Sequence, residues 1–142
     1  MMKILIPVDG SANSLRAVEY AIGLASALRE PPTFLLLNVQ WNVAAANVKL
    51  FINQDTINDY YREQGNEALR AARGLLDAAN LAYQYHISIG TPAQAVVQYA
   101  EEQAVNLIVM GRQGESRLQS LLLGSVGGKV AQLASMPVML IN

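Results

Sequence analysis

The sequence predicts an α/β domain, an open doubly wound five-stranded parallel sheet with helices on both faces. Short, nearly continuous apolar runs alternate along the chain with segments whose apolar residues recur every three or four positions. Such runs are typical of strands that helices cover on both faces. The resulting order, β-α-β-α-β-α-β-α-β, places a helix between consecutive strands, as right-handed crossovers in a parallel sheet require. The 142 residues suit a single domain over residues 1–142. With 52% apolar residues, 15% charged residues and a mean hydropathy of +0.21, the chain can build a core without cross-links.

Residues 4–8 (ILIPV) form the first predicted strand. The first helix buries Leu15, Val18, Ile22 and Ala25 and turns Arg16, Glu19 and Arg29 outward. Residues 34–37 (FLLL) are the second strand. Residues 41–54 carry no period; a connection of that length is uncommon and often functional, with disorder as the plainer alternative. A longer helix follows, with Ile57, Tyr61, Ala68, Ala72, Leu75 and Ala79 as its inner stripe and both Tyr60 and Tyr61 expected on the core face. Gly65 and Gly74 each weaken that helix by ~1 kcal/mol relative to alanine, so it needs tertiary support.

Residues 83–89 (YQYHISI) alternate more than they saturate, which fits a strand toward the sheet edge. Thr91-Pro92-Ala93-Gln94 reads as a helix start, with Thr91 capping, Pro92 at the first helical position and Gln94 closing a capping box. Val96, Val97, Ala100 and Ala104 then form the buried stripe. Residues 107–110 (LIVM) are the fourth strand. The last helix is expected from Ser125 to near Ser135, stopped by Pro137, before a final strand over residues 138–141 (VMLI).

Charge and composition exclude several classes. Disorder requires low hydrophobicity and high net charge, whereas this chain carries 10 Lys+Arg against 11 Asp+Glu, a net charge of −1. That balance, with a pI near 5.7, lacks the basic footprint of a nucleic-acid binder. The absence of cysteine removes disulfides, thiolate metal sites and thiol nucleophiles together. The apolar stretch before Asp9 is too short for a secretion signal, and no run reaches the ~18 residues of a membrane span. A cytoplasmic protein without nucleic-acid or membrane partners is the expectation.

In an open α/β sheet, ligands bind beyond the carboxyl ends of the strands, where strand order reverses. Asp9-Gly10-Ser11, Gln40-Trp41, Gly90-Thr91 and Gly111-Arg112-Gln113-Gly114 follow the strands there, and Gly124-Ser125 opens the last helix. Glycines admit an anion close to backbone N–H groups, and a helix N-terminus adds free donors and a favourable dipole. The two together make a candidate phosphate cradle. On glycine content alone, these residues could equally serve to turn the chain and cap a helix.

The spacing adds a resemblance. Gly111-x-x-Gly114, nine residues, then Gly124-Ser125 matches the G-x2-G-x9-G-[S/T] nucleotide motif of the universal stress protein family. ILIPVDGS, LLLNV, GTPAQAVVQYA, NLIVMGRQG and LLLGSV…PVMLI are similar to family segments in the same order, so the resemblance covers essentially the whole chain. Asn106 departs from the acidic residue usual before the LIVMG strand, and Gly127-Gly128 from better helix formers.

The resemblance implies an adenine nucleotide alpha-hydrolase-like, Rossmann-like fold that holds ATP or AMP, with Mg²⁺ accompanying ATP. It implies that the Val39 backbone reads the adenine edge with Asp9 close to the adenosine. Met110 and Gly111 would lie against the ribose, and Gly114, Gly124, Ser125 and Val126 would donate to the phosphates. Arg112, Arg117 and Lys129 could neutralise phosphate charge or serve as solvated surface cations. The resemblance also implies a homodimer in which residues 138–141 pair across the axis, which would shield an apolar edge strand.

Other nucleotide and hydrolase signatures fail. A P-loop ending in Gly128-Lys129 needs Gly where Leu123 stands and Ser or Thr where Val130 stands. A dinucleotide fingerprint needs G-x-G-x-x-G where the chain reads DGSANS. A receiver domain needs a second carboxylate beside Asp9 and a Lys after the last strand, where only Asn142 follows. His86, the single histidine, lies inside the third strand and reads as a packed or edge residue rather than a general base, and two-histidine metal sites are impossible. Trp41 could stack on a ligand, form a lid or mark an interface. The leading expectation is therefore a homodimeric, nucleotide-dependent stress-response module without dedicated catalysis. A slow ATPase or autophosphorylating phosphotransferase using the same site is the alternative.

Overall fold

The computed structural model describes residues 1–41, 53–112 and 126–142. Its elements are β1 (Lys3–Pro7), α1 (Ala12–Ser26), β2 (Thr33–Gln40), α2 (Gln54–Ala78), β3 (Tyr83–Ile89), α3 (Pro92–Glu102), β4 (Leu107–Gly111), α4 (Val126–Leu133) and β5 (Val138–Ile141). The strands form one five-stranded parallel sheet in the order β3-β2-β1-β4-β5. Strand alternation sorts the apolar side chains into two cores. Ile4, Ile6, Phe34, Leu36 and Val109 meet Val18, Ala21, Leu69, Ala72 and Leu76 of α1 and α2. Leu5, Leu35, Leu37, Ile108 and Met110 meet Val96, Val97, Ala100 and Val130 of α3 and α4 on the other face. The predicted α/β class, sheet and helix-covered faces agree with this arrangement.

β3 occupies one edge with the predicted bounds, and β5 occupies the other. Neither is buried like the central strands: β3 is largely exposed and β5 is half-buried throughout. β2 runs on past the apolar stretch of residues 34–37 and ends at Gln40, one residue beyond the expected Val39, because it continues to pair with β3.

The stripe of α2 is phased differently from the prediction. Ile57, Tyr61 and Ala72 are buried as expected, but Gly65, Leu69 and Leu76 complete the face. Ala68 and Leu75 flank it, Ala79 is the exposed C-cap and Tyr60 faces outward. Gly65 belongs to the face because α2 closes directly on β3 there: a Cβ at Gly65 would lie 2.6–2.8 Å from three Ile87 side-chain carbons. Among the described residues nothing lies within 4 Å of the corresponding point at Gly74.

α3 also corrects the prediction at both ends. Thr91 has extended N-cap dihedrals but makes no side-chain cap bond, and the helix starts on its carbonyl, which accepts from Ala95 N–H at 2.9 Å. Ala104 lies beyond the helix, exposed, with φ of 53°. Ala104 N–H donates to Glu101 C=O and Val105 N–H to Ala100 C=O, a Schellman termination with alanine where glycine is usual. Ala104→Gly is therefore expected to stabilise the protein by about 1 kcal/mol, raising Tm by ~3 °C in a thermal melt. An unchanged or lowered Tm would contradict the assigned termination.

Asn106 has a structural role at the start of the sheet. Its Oδ1 accepts Lys3 N–H at 2.8 Å and its own N–H donates to Lys3 C=O, clamping the start of β1.

Candidate functional site

The chain leaves β1 on one side toward β2 and re-enters on the other as β4, so the strand order reverses between β1 and β4. The carboxyl ends of β2, β1 and β4 stand side by side there. This brings together four sequence-predicted residues: Val39 on β2, Asp9 just past β1, and Met110 and Gly111 closing β4. Gly114, Gly124 and Ser125 lie outside the described residues, as do Arg117 and the connection over residues 42–52. Val126 is the first described residue of α4 and is exposed.

Each position has a local cause. Ser11 caps α1, its Oγ accepting Ser14 N–H at 3.1 Å, while Asp9 Oδ1 accepts Ser11 N–H at 2.9 Å. These bonds fix the turn that carries Asp9, whose carboxylate stays exposed. Gly10 takes φ of +85° with Ala68 of α2 immediately behind it, a conformation that side chains rarely adopt. The Met110 side chain is buried in the α3/α4 core, so it is the backbone of Met110 that borders the crevice.

Gly111 sits against α1. A Cβ there would approach Asn13 Cγ at 2.9 Å and its carbonyl oxygen at 3.0 Å, with the Asn13 amide oxygen nearer still. Asn13 is itself buried and its Nδ2 donates to Ile141 C=O at 3.3 Å. Arg112 continues the seam: its N–H donates to the same carbonyl at 2.7 Å, and its guanidinium reaches Asn142 Oδ1 at 3.2 Å.

Sequence reasoning missed Asn13 and Asn38, which with Ser14 are the buried polar residues of the structure among those described. Asn13 shares the buried face of Ala17 and Ala21, four and eight residues on. Asn38 breaks an otherwise apolar run, TFLLLNV. A polar residue standing in a buried register was the available signal for both.

His86 is remote from this crevice. It lies exposed on edge strand β3, stacked on Tyr99 with ring centroids 5.2 Å apart and planes 5° from parallel. Burial, helped by the nearby Glu102 carboxylate, raises the Tyr99 pKa above the usual phenol value. Trp41 is exposed immediately after β2. Among the described residues no group of three His, Cys, Asp or Glu could hold a metal, and no helix is long and apolar enough to cross a membrane.

Residues 1–142 match the Universal stress protein family. Universal stress protein MJ0531 of Methanocaldococcus jannaschii is 30% identical over 146 residues, spanning 99% of this chain and 81% of that protein. A solved structure of a universal stress protein in complex with cAMP is 26% identical, with a TM-score of 0.70 over 99% of this chain and 96% of that one. Hypothetical protein MJ0577, solved in a structure-based assignment of biochemical function, superposes with a TM-score of 0.83 at 24% identity, over 99% and 94% of the two chains.

Proposed function

Because the chain belongs to the universal stress protein family, we propose that it is an adenine-nucleotide-binding member, holding ATP or AMP at the β1/β4 switch point and responding to its occupancy. The observation that carries this reading is the complete Gly111, Gly114, Gly124 and Ser125 spacing, running on from the carboxyl end of β4 at the reversal of strand order. A relative solved with cAMP supports the ligand class.

The described residues fit such a ligand. Gly111 packs directly on Asn13 of α1, which fixes the end of β4 at the crevice, and the Val39 backbone offers one donor and one acceptor at the end of β2. Asp9 offers a carboxylate at the crevice rim. Gly114, Gly124, Ser125 and Val126 are proposed to donate to the phosphates. Mg²⁺ entering with ATP would be held mainly by phosphate and water.

Calorimetry with ATP, AMP, cAMP and NAD tests the reading. Saturable binding of an adenine mononucleotide is expected, and no binding of any of the four overturns it. Ser125→Ala is expected to weaken ATP binding by ~1.5 kcal/mol, about tenfold, the lower end for one hydrogen bond to a charged group. An unchanged affinity would remove Ser125 from the site.

The partner is proposed to be a second copy, joined along β5. Its four residues are all apolar and half-buried, and among the described residues the strand pairs only with β4. Apolar edges of this kind invite pairing. Met139→Lys is expected to shift sedimentation from dimer to monomer. A dimer that persists places the interface elsewhere.

A further inference from the structure

We infer that Asn38 is the positioning residue that ends the β1–β2 ladder and thereby frees the Val39 backbone for an adenine edge, an inference that rests on the nucleotide reading above. The paired register of β1 with β2 stops at Pro7 and Leu37, and one further ladder bond follows, Val8 N–H to Leu37 C=O at 2.8 Å. In a parallel ladder the next bond would run from Val39 N–H to Val8 C=O. Instead, the Asn38 side chain donates to Val8 C=O from Nδ2, at 2.8 Å. Asn38 is 3% exposed, so this bond is shielded from water.

The orientation of the amide is fixed by chemistry. Val8 C=O can only accept, so the Asn38 nitrogen must face it. The Asn38 oxygen in turn accepts from Gln40 Nε2 at 2.6 Å. Gln40 is therefore the second member of the device, holding Asn38 in the orientation that satisfies Val8.

Alternation along β2 then sets where Val39 points. Leu37 C=O bonds toward β1, whereas Gln40 C=O accepts Gly90 N–H beyond β3, at 2.9 Å. Val39 shares the parity of Leu37, so its N–H and C=O are directed to the β1 side, where that strand has already ended. One residue thus presents a donor and an acceptor to the crevice. Adenine offers the complement, an acceptor at N1 and a donor at its 6-amino group. Guanine offers the reverse at the same edge, a donor at N1 and an acceptor at O6.

Two measurements on the full chain test the assignment. The first is amide hydrogen exchange by NMR. In the free protein the Val39 amide is expected to exchange at least tenfold faster than its neighbours in the β2 ladder and to become protected on adding ATP. Protection of Val39 in the free protein overturns the inference. The second compares ATP, GTP and inorganic triphosphate binding to wild type, Asn38→Leu and Asn38→Asp, the last retaining an acceptor for Gln40 but no donor for Val8.

Both variants are expected to lose ATP affinity at least tenfold and to lose the wild-type preference for ATP over GTP, while triphosphate binding stays within twofold. An undiminished ATP preference in folded variants, or equal loss of all three ligands, makes Asn38 merely structural and overturns the inference. Equal wild-type affinity for ATP and GTP also overturns it. Wild type that binds no adenine nucleotide at all overturns the underlying reading instead. If neither variant folds, the wild-type exchange measurement decides alone.

Discussion

Gly111→Val is expected to abolish ATP binding, a loss of at least ~100-fold or about 2.7 kcal/mol, and to destabilise the fold as well. The added side chain would meet Asn13, whose carbonyl oxygen and Cγ lie 3.0 and 2.9 Å from the Cβ position. A flexible side chain could swing aside, but a backbone carbonyl in the first turn of α1 moves only with the helix. Displacing it strains the Asn13 bond to Ile141 C=O and disturbs the Ser11 cap beside Asp9. Overpacking of this kind costs ~1–3 kcal/mol, and contact with backbone favours the upper part of that range. Urea unfolding and calorimetry read the two losses separately. Gly114→Val, which adds a side chain at a residue of the proposed phosphate cradle, is also expected to abolish binding. Wild-type binding by both variants would relocate the cradle.

Gly65→Val is expected to cost about 2–3 kcal/mol, whereas Gly74→Ala in the same helix is expected to contribute ~0.5–1 kcal/mol of stability. Both glycines lower the helical propensity of α2, and propensity alone treats them alike. Packing separates them. A Cβ at Gly65 collides with Ile87 Cδ1, Cγ1 and Cγ2 together, so no single rotamer of that β-branched side chain clears the space. At Gly74 the space is open. Truncating the obstacle completes the test: Gly65→Ala and Ile87→Ala should show a favourable coupling of ~1–2 kcal/mol in a double-mutant cycle. Additivity would mean that α2 and β3 are not in the close contact described.

This pair of glycines marks what sequence could and could not reveal. Apolar runs in β1, β2 and β4 were legible because burial on both faces leaves a continuous signature, and β5 carries the same kind of run although that edge strand is half-buried. The stripe of α2 was misphased because its inner face includes a glycine, which periodicity counts as a gap. Ala104 was placed in the stripe of α3 because its residue type fits, although the helix had already terminated through a left-handed alanine.

At the crevice, the positions of Asp9 and Gly111 are legible because strand ends are predictable once strands are, whereas Val39 and Met110 enter only through the family resemblance. Asn13 and Asn38 were not legible, because what they do depends on partners far away in sequence. Asn13 reaches Ile141 and Asn38 reaches Val8, contacts that exist only after the sheet has assembled.

The order of strands also bears on how the molecule comes apart. The β1–β4 join has two registered pairs, Ile4 with Leu107 and Leu5 with Ile108, whereas β1 and β2 share five. Among the strand pairs it also joins the parts most distant in sequence, with Lys3 and Asn106 bonded across 103 residues. Long closures are slow to form, so β4 and β5 are expected to dock last onto an N-terminal half that can assemble through shorter crossovers. The candidate ligand crevice lies along that same late seam. A nucleotide touching Asp9 and Val39 on one side and Gly111 on the other would therefore act as a kinetic staple, slowing the first step of unfolding as well as adding to equilibrium stability.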